Sequence, residues 1–561
     1  MEISIFEFIF FYFLIVLSTI GLGFLSVKLV GEKNLNGLGY LGLLGVFFLI
    51  FYSMLGHLFF KHGLVSNSIV MLIGLTCFFL NIKTLVKKSE LGIFFLTFTI
   101  LFISVVIIKN HDDFSYYHFP YTYYLNEYPL IIGMGQYGHG FRTPSSLFYL
   151  NSIFYLPIVK YYMINVGALM IMGFSNLIIL SNLIKTVKSK QFNYLFILGL
   201  LSFAFINIFF YRIAEHGTDR SAQILILIFV MELLYFIGSP KTYKLFLNKT
   251  FLLLGIIASL KAFYILYFIF FLQIFYILYR NKFLFQILEL LKLKNILFNL
   301  FFILILLVFL TYFFNTGCVI YPVSFTCFES NSWAIKIETV QAMNDWYQQW
   351  SKGGATPNYS VENPELYLQN FNWIKNWIDI YFFNKVSDFI LGIIFLFIVL
   401  SIILFFKNTG FKIKTINTAD KKISLTYFII CVLTIEWFTN HPSLRYGGYV
   451  LIFLLLALPF AKLVEKNFQK LISIKTRALY FLVIVVVIFL ARNIDRINNE
   501  NEKYKNQRIS LMKINFTVDE SALRIDRRIK EEIKIYNNCT SNDNCKTKLD
   551  KKFNRFITKN K

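Results

Sequence analysis

The chain reads as an all-α, polytopic membrane protein, and three observations lead there. Of its 561 residues 57% are hydrophobic and 15% charged, whereas a soluble protein of this size needs roughly a quarter of its residues charged to cover its surface. Mean hydropathy is +0.61. The apolar residues also arrive in runs of about 18 or more, long enough to cross a hydrocarbon layer as helices.

Roughly 14 segments qualify in order: 6–29, 38–60, 64–82, 91–108, 161–184, 192–212, 219–237, 245–259, 262–279, 296–314, 386–406, 422–438, 446–465 and 478–492. The first is too long, and lacks the basic start, for a cleavable signal peptide. Segment 144–159 is apolar but short and contains Pro144 and Pro157, so it reads as a juxtamembrane or re-entrant piece. The chain therefore divides into a polytopic domain, 1–492, with outer loops 109–143 and 315–385, and a charged tail, 493–561. Within the tail, 519–536 alternates charged and apolar residues at helical spacing, which predicts a small helical appendage.

The net charge of +24 is mainly a topology signal. Lysines and arginines sit in short links between apolar runs, without the aromatic-basic patch of a nucleic-acid-binding domain, so no nucleic-acid partner is expected. Links at Lys83, Lys87 and Lys88, at Lys185, Lys188 and Lys190, and at Lys412, Lys414 and Lys421 share one face with several others. The positive-inside rule places that face in the cytoplasm. The opposite face then carries loops 109–143, 213–219, 315–385 and 439–445, and the tail. Cys318 and Cys327 share one outer loop and Cys539 and Cys545 share the tail. These spacings suit disulfides, but unrelated thiols fit them equally.

The chemistry concentrates on the outer face. His111, Asp112 and Asp113 emerge at a helix end in a region where acids are scarce. A carboxylate there suits general-base work on a hydroxyl. Tyr116, Tyr117, His118, Tyr121, Tyr123 and Tyr124 follow, in the pattern of an amphipathic helix at the interface. His118 is the candidate for chemistry among them. Gly133, Gly135, Gly138 and Gly140 then lead to His139 and Arg142. Glycines permit close backbone approach, and a guanidinium beside them suits a phosphate.

Three further sites point to the same compartment. The link RIAEHGTDR packs Arg212, Glu215, His216, Asp219 and Arg220 between two apolar helices, an expensive arrangement unless it faces water or a ligand. Lys261 stands alone between apolar stretches, where a lysine either snorkels or meets an anion. His441 and Arg445, in NHPSLRYGG, open another span where a phosphate-bearing lipid could be gripped. The loop 315–385 holds Trp333, Trp346, Trp350, Trp373 and Trp377, five of the chain's six tryptophans. Aromatic rings of this kind stack on sugar faces or anchor loops at membranes.

No P-loop, CxxC metal spacing or HExxH motif is present, and no GxGxxG stands at a strand–helix junction, which argues against ATP-driven transport and zinc proteolysis. The order of motifs, from the aspartates through YYHFPYTYYLNEY, GMGQYGHGFRTPSS, LFYLNSIFYLP, EHGTD, SLK, TGCVIYPVSFTC and HPSLRY, resembles the GT-C superfamily of integral membrane glycosyltransferases. The resemblance covers 109–446 and departs in one respect: extra helices precede the acidic loop, which such enzymes usually place after their first span. It implies transfer of a sugar from a polyprenyl-phosphate carrier to a glycan or lipid acceptor, at the outer face of a bacterial cytoplasmic membrane. Asp112 or Asp113 would deprotonate the acceptor or orient it through a divalent cation. Arg142, Lys261 and Arg445 would stabilise the departing phosphate, with His118, His139, Glu215, His216, Asp219 and His441 around the substrate. A surface-polysaccharide polymerase or ligase, centred on 315–385 and Arg445, is the main competing expectation. A lipid or polysaccharide flippase is the non-enzymatic one.

Overall fold

A computed structural model describes every residue except 1, 32–34, 36, 86–87, 107–112, 191, 216, 284–294, 357–360, 406–420, 469–473, 504–512, 516–522, 540–546, 553–554 and 560–561. Each of the 14 predicted spans coincides with a helix. Twelve helices among the described residues are long and apolar enough to cross a bilayer. The remaining two, Lys88–Phe102 and Tyr194–Phe209, have 15 and 16 residues. At about 1.5 Å per residue they fall short of a hydrocarbon core about 30 Å thick. The chain is thus an all-α, multi-pass membrane protein.

The bundle is layered by burial. In Tyr161–Ser189 and Gly217–Gly238, 89% of the most apolar stretch is buried inside the protein; in Ile374–Phe405, Ile423–Asn440 and Ile474–Glu500 it is 28%. The first two helices therefore form the centre, and the last three present apolar side chains to lipid. Small residues allow the N-terminal helices to approach closely, as membrane helices do without a hydrophobic force between them. A Cβ on Gly23 would lie 1.9 Å from the Leu41 carbonyl oxygen, and one on Gly45 would lie 1.8 Å from that of Thr19.

Segment 144–159 does not span. It forms the eight-residue helix Ser146–Ile153, capped by the Ser145 hydroxyl, which accepts from the Leu147 N–H at 3.3 Å. The tyrosine-rich segment is a π-helical turn, Phe114–His118, running into the helix Phe119–Glu127. Tyr121 and Tyr124 are not interfacial anchors there, because both are buried. Their hydroxyls accept from Asn315 Nδ2 at 3.0 Å and from the Ile131 N–H at 2.8 Å, so burial leaves them satisfied.

The C-terminal part departs from the expected boundary and composition. The last bundle helix continues past 492 to Lys503. Beyond it, Lys513–Asn515 pairs antiparallel with Glu2–Ser4, the helix Arg524–Cys539 follows, and Leu549–Lys552 and Arg555–Thr558 form a hairpin. The appendage is therefore mixed rather than purely helical. It docks on residues 128–137 of the glycine-rich loop, on the same face, as the alternation of spans requires. The Tyr128 hydroxyl donates to Asp526, and the Tyr137 hydroxyl donates to Glu532 at 2.7 Å. The Ile132 N–H donates to the Phe556 carbonyl and the Thr558 N–H to the Ile132 carbonyl, both at 3.0 Å. Cys318 and Cys327 form a disulfide; Cys545 lies outside the described residues.

Gly133 is where loop and tail meet most tightly. Its φ is +88°, and a Cβ there would lie 1.8 Å from Thr558 Oγ1. Gly133→Ala should therefore destabilise the protein by about 1–3 kcal/mol and release the tail to protease. Thermal unfolding and limited proteolysis in detergent measure both effects. Gly92→Ala, whose Cβ would meet nothing within 4 Å, is the control. Equal behaviour of the two variants would contradict the docking.

Candidate functional site

An ion cluster at one end of the bundle organises the site. Asp219 lies in the first turn of Gly217–Gly238, where the helix dipole favours a negative charge. Lys261 occupies the break between the helix Tyr243–Leu260 and the 3-10 helix Ala262–Ile269. Its Nζ stands 2.7 Å from Asp219 Oδ1 and over the Tyr446 ring at 4.7 Å. Arg445 comes from the 3-10 turn Leu444–Tyr446, which Gly447 ends in the left-handed conformation at φ +102°. Its Nε donates to Asp219 Oδ2 at 2.7 Å and its Nη2 to Asp113 Oδ2 at 3.0 Å. Two carboxylates and two cations thus balance.

Each member is held from behind. Gln223, one turn beyond Asp219, donates from Nε2 to the Arg445 carbonyl at 2.9 Å and accepts from the Val450 N–H at 3.1 Å. The Tyr117 hydroxyl donates to Asp113 Oδ2 at 3.2 Å. The glycine-rich loop lies against this tyrosine, since a Cβ on Gly140 would come within 2.0 Å of Tyr117 Cβ. The glycines predicted to approach a ligand are therefore used, at Gly133 and Gly140, to let the loop pack on the protein. Asp219 is 4% exposed, whereas the side chains of Lys261, Asp113 and Arg445 are 24–30% exposed.

Those three side chains open onto a cavity of about 360 Å³, within the size range of small-molecule sites. One wall is residues 320–323, inside the loop closed by the Cys318–Cys327 disulfide. The roof is the helix Ile337–Lys352, which supplies Asn344, Trp346, Tyr347 and Trp350. His139 and His441 are also part of the lining. The Tyr347 hydroxyl is 2.9 Å from His139 Nε2, which joins the roof to the glycine-rich loop. Burial, with Arg142 adding to it, pushes the His139 imidazole down to about 4. Burial pushes His441 down to about 4 as well, with Lys352 and Lys261 adding to it. Both rings are therefore neutral at neutral pH, because burial opposes the charged form.

The structure thus gathers Asp113, His139, Asp219, Lys261, His441 and Arg445, and leaves the other sequence candidates apart. His118 and Glu215 line a separate, much smaller cleft behind Phe148. Glu215 accepts from Arg212 Nε at 2.9 Å and pairs with Arg496, so it braces the last helix. Arg142 does not line the cavity: it donates to the Gly135 carbonyl at 3.0 Å and to the Tyr321 hydroxyl at 3.4 Å, tethering the disulfide loop. Asp112 and His216 lie outside the described residues. Tyr117 was read from the sequence only as part of an interfacial helix, and Gln223, Tyr347 and Tyr446 were missed by sequence reasoning. Gln223 carried a usable signal, as an amide inside an apolar helix; Tyr117 and Tyr347 were hidden among 34 tyrosines. Among the described residues, no three His, Cys, Asp or Glu side chains group to hold a metal ion.

The chain belongs to the family described as the domain of unknown function DUF8201, whose model matches residues 6–452. No curated protein and no solved structure matches it. The matched stretch contains every cavity residue named above.

Two outcomes follow from the electrostatics. His139 and His441 bind protons less tightly folded than unfolded, so between the ordinary value of 6.5 and about 4 the unfolded chain carries more protons. Their stability contribution is complete above 6.5 and declines as pH falls through that window. The thermal midpoint in detergent should drop over that range, and His139→Asn combined with His441→Asn should flatten the slope. An unchanged slope would contradict the burial of the two rings. Separately, Asp219→Asn leaves Lys261 and Arg445 without their shared counter-ion and should cost about 3 kcal/mol, read by thermal unfolding.

Proposed function

We propose that the protein is a membrane glycosyltransferase that moves a sugar from a polyprenyl-phosphate donor to a cell-envelope glycan or lipid acceptor. Its site would face outward from the bacterial cytoplasmic membrane, opposite the lysine-rich links. The observation that carries this reading is one cavity, at one end of a membrane bundle, lined by a carboxylate paired with one cation, Asp113 with Arg445, and by a second cation, Lys261. That distribution matches the charges of the reaction. The acceptor oxygen attacks the anomeric carbon and its proton passes to Asp113. The carbon–oxygen bond to the phosphate breaks, and the phosphate leaves with the electron pair. Arg445 Nη1 makes no hydrogen bond among the described residues, and Lys261 Nζ bonds to Asp219. Their remaining N–H groups suit an oxyanion whose charge grows in the transition state.

A second reading, a surface-polysaccharide polymerase or ligase, is favoured by one observation: the 315–385 loop and both neutral histidines line the same cavity as Arg445. It makes Asp113 replaceable. A flippase gains no support, because the lining residues come from one end of the bundle and from the segments 315–385 and 109–145, the helix Ile337–Lys352 included.

The test uses membranes containing the full chain, a polyprenyl-phosphate sugar and envelope acceptor. Asp113→Asn should slow transfer by about 10²–10⁴-fold, and Arg445→Ala should also impair it strongly. Full transfer by both variants sinks the proposal; loss in Arg445→Ala with full activity in Asp113→Asn selects the polymerase or ligase.

A further inference from the structure

The five tryptophans of the outer loop divide into two groups. Trp333 Nε1 donates to the Phe313 carbonyl at 3.2 Å, Trp377 Nε1 donates to the Pro442 carbonyl at 2.9 Å, and Trp373 is 1% exposed beneath the Lys352 ammonium. These three fasten the loop to the bundle. Trp346 and Trp350 behave differently. Both line the cavity, and neither indole N–H has a hydrogen-bond partner among the described residues.

Their geometry makes a surface. The residues are one turn apart on Ile337–Lys352, the spacing at which helix side chains lie side by side. Their ring centroids are 6.4 Å apart with 25° between planes. Trp350 packs edge-on against Tyr446, the neighbour of Arg445, so the surface runs up to the ion cluster. Tyr347, between the two, is tied to His139 and fixes the rotation of the helix. Asn344 also lines the cavity, and its carboxamide makes no hydrogen bond among the described residues. Glu338, Gln341 and Asp345 are exposed on the same helix, so its outer side meets water rather than hydrocarbon.

We infer that Trp346 and Trp350 form an acceptor platform for the pyranose rings of an oligosaccharide at least two residues long, with Asn344 and the two indole N–H groups reading hydroxyls. An apolar ring face with a polar edge fits the two sides of a sugar, C–H bonds on its face and hydroxyls around its rim. A tile of two indoles is wider than one sugar ring, which selects an oligosaccharide over a monosaccharide. The inference deepens the transferase reading and rests on it for the word acceptor, but glycan binding itself does not depend on transfer.

The experiment is binding of the detergent-solubilised full chain to an array of hexose and N-acetylhexosamine oligosaccharides, one to six residues long. The expected result is binding that strengthens from one residue to two or more. Trp346→Ala and Trp350→Ala should each weaken it about tenfold or more. Trp346→Phe and Trp350→Phe, which keep a ring, should retain most of it, and thermal unfolding confirms that these four variants and the double alanine variant are folded. Absence of binding by the unaltered chain, or unchanged binding by the double alanine variant, overturns the inference. Platform-dependent binding together with full transfer by Asp113→Asn and Arg445→Ala would sink the transferase reading alone.

Discussion

The ion cluster at one end of the bundle depends on one buried carboxylate. Asp219 sits at the start of the Gly217–Gly238 helix, 4% exposed, and binds Lys261 and Arg445 at 2.7 Å each. Removing a carboxylate from water costs several kcal/mol unless cations and hydrogen bonds replace the solvent. Lys261 and Arg445 therefore have to reach it, and both come from breaks in otherwise apolar helical runs. The extended backbone at Lys261 and the 3-10 turn before Gly447 are the local conformations that bring them there. Three segments far apart in sequence are fixed by a single charge.

The same pairing shapes the cavity. Arg445 is shared between Asp219, which is buried, and Asp113, which faces the cavity. Asp113 is thus positioned by a group that is itself held elsewhere, and its carboxylate is oriented before any ligand arrives. The balance of two acids against two bases has a second effect. An arriving anion meets cations that already have partners, so it is limited to the N–H groups of Arg445 and Lys261 that Asp113 and Asp219 leave over, rather than filling an open positive site. Such a site favours a ligand that brings additional contacts, and the aromatic roof beside the cluster offers them.

The outline of the fold was legible in the sequence. Apolar runs mark helices whatever their neighbours, and the alternation of lysine-rich links assigned loops 109–143, 315–385 and 439–445 and the tail to one face. The contacts of the tail with residues 128–137 agree with that. Lys261 and Arg445 were also legible, because isolated cations in apolar surroundings need an explanation. What could not be read was the identity of their partner. Asp219 and Arg445 are 226 positions apart, and a sequence displays a charge without its counter-ion. For the same reason Glu215 and Arg142 read as ligand-binding, although one braces Arg496 and the other tethers Tyr321. The short strands of the tail escaped because three- and four-residue strands are set by pairing partners rather than by local pattern.

The position of the family match bears on what the tail does. The match ends at residue 452, before the last helix and the tail, and no described residue of the tail lines the cavity. Yet the tail holds the glycine-rich loop through Tyr128, Ile132 and Tyr137, two residues before His139. His139 in turn contacts Tyr347 in the roof. The tail therefore acts on the cavity through loop position and supplies none of its lining. Bracing requires shape and a few hydrogen bonds, whereas the ion cluster requires particular charges at particular atoms, so tail and cluster place different demands on the sequence.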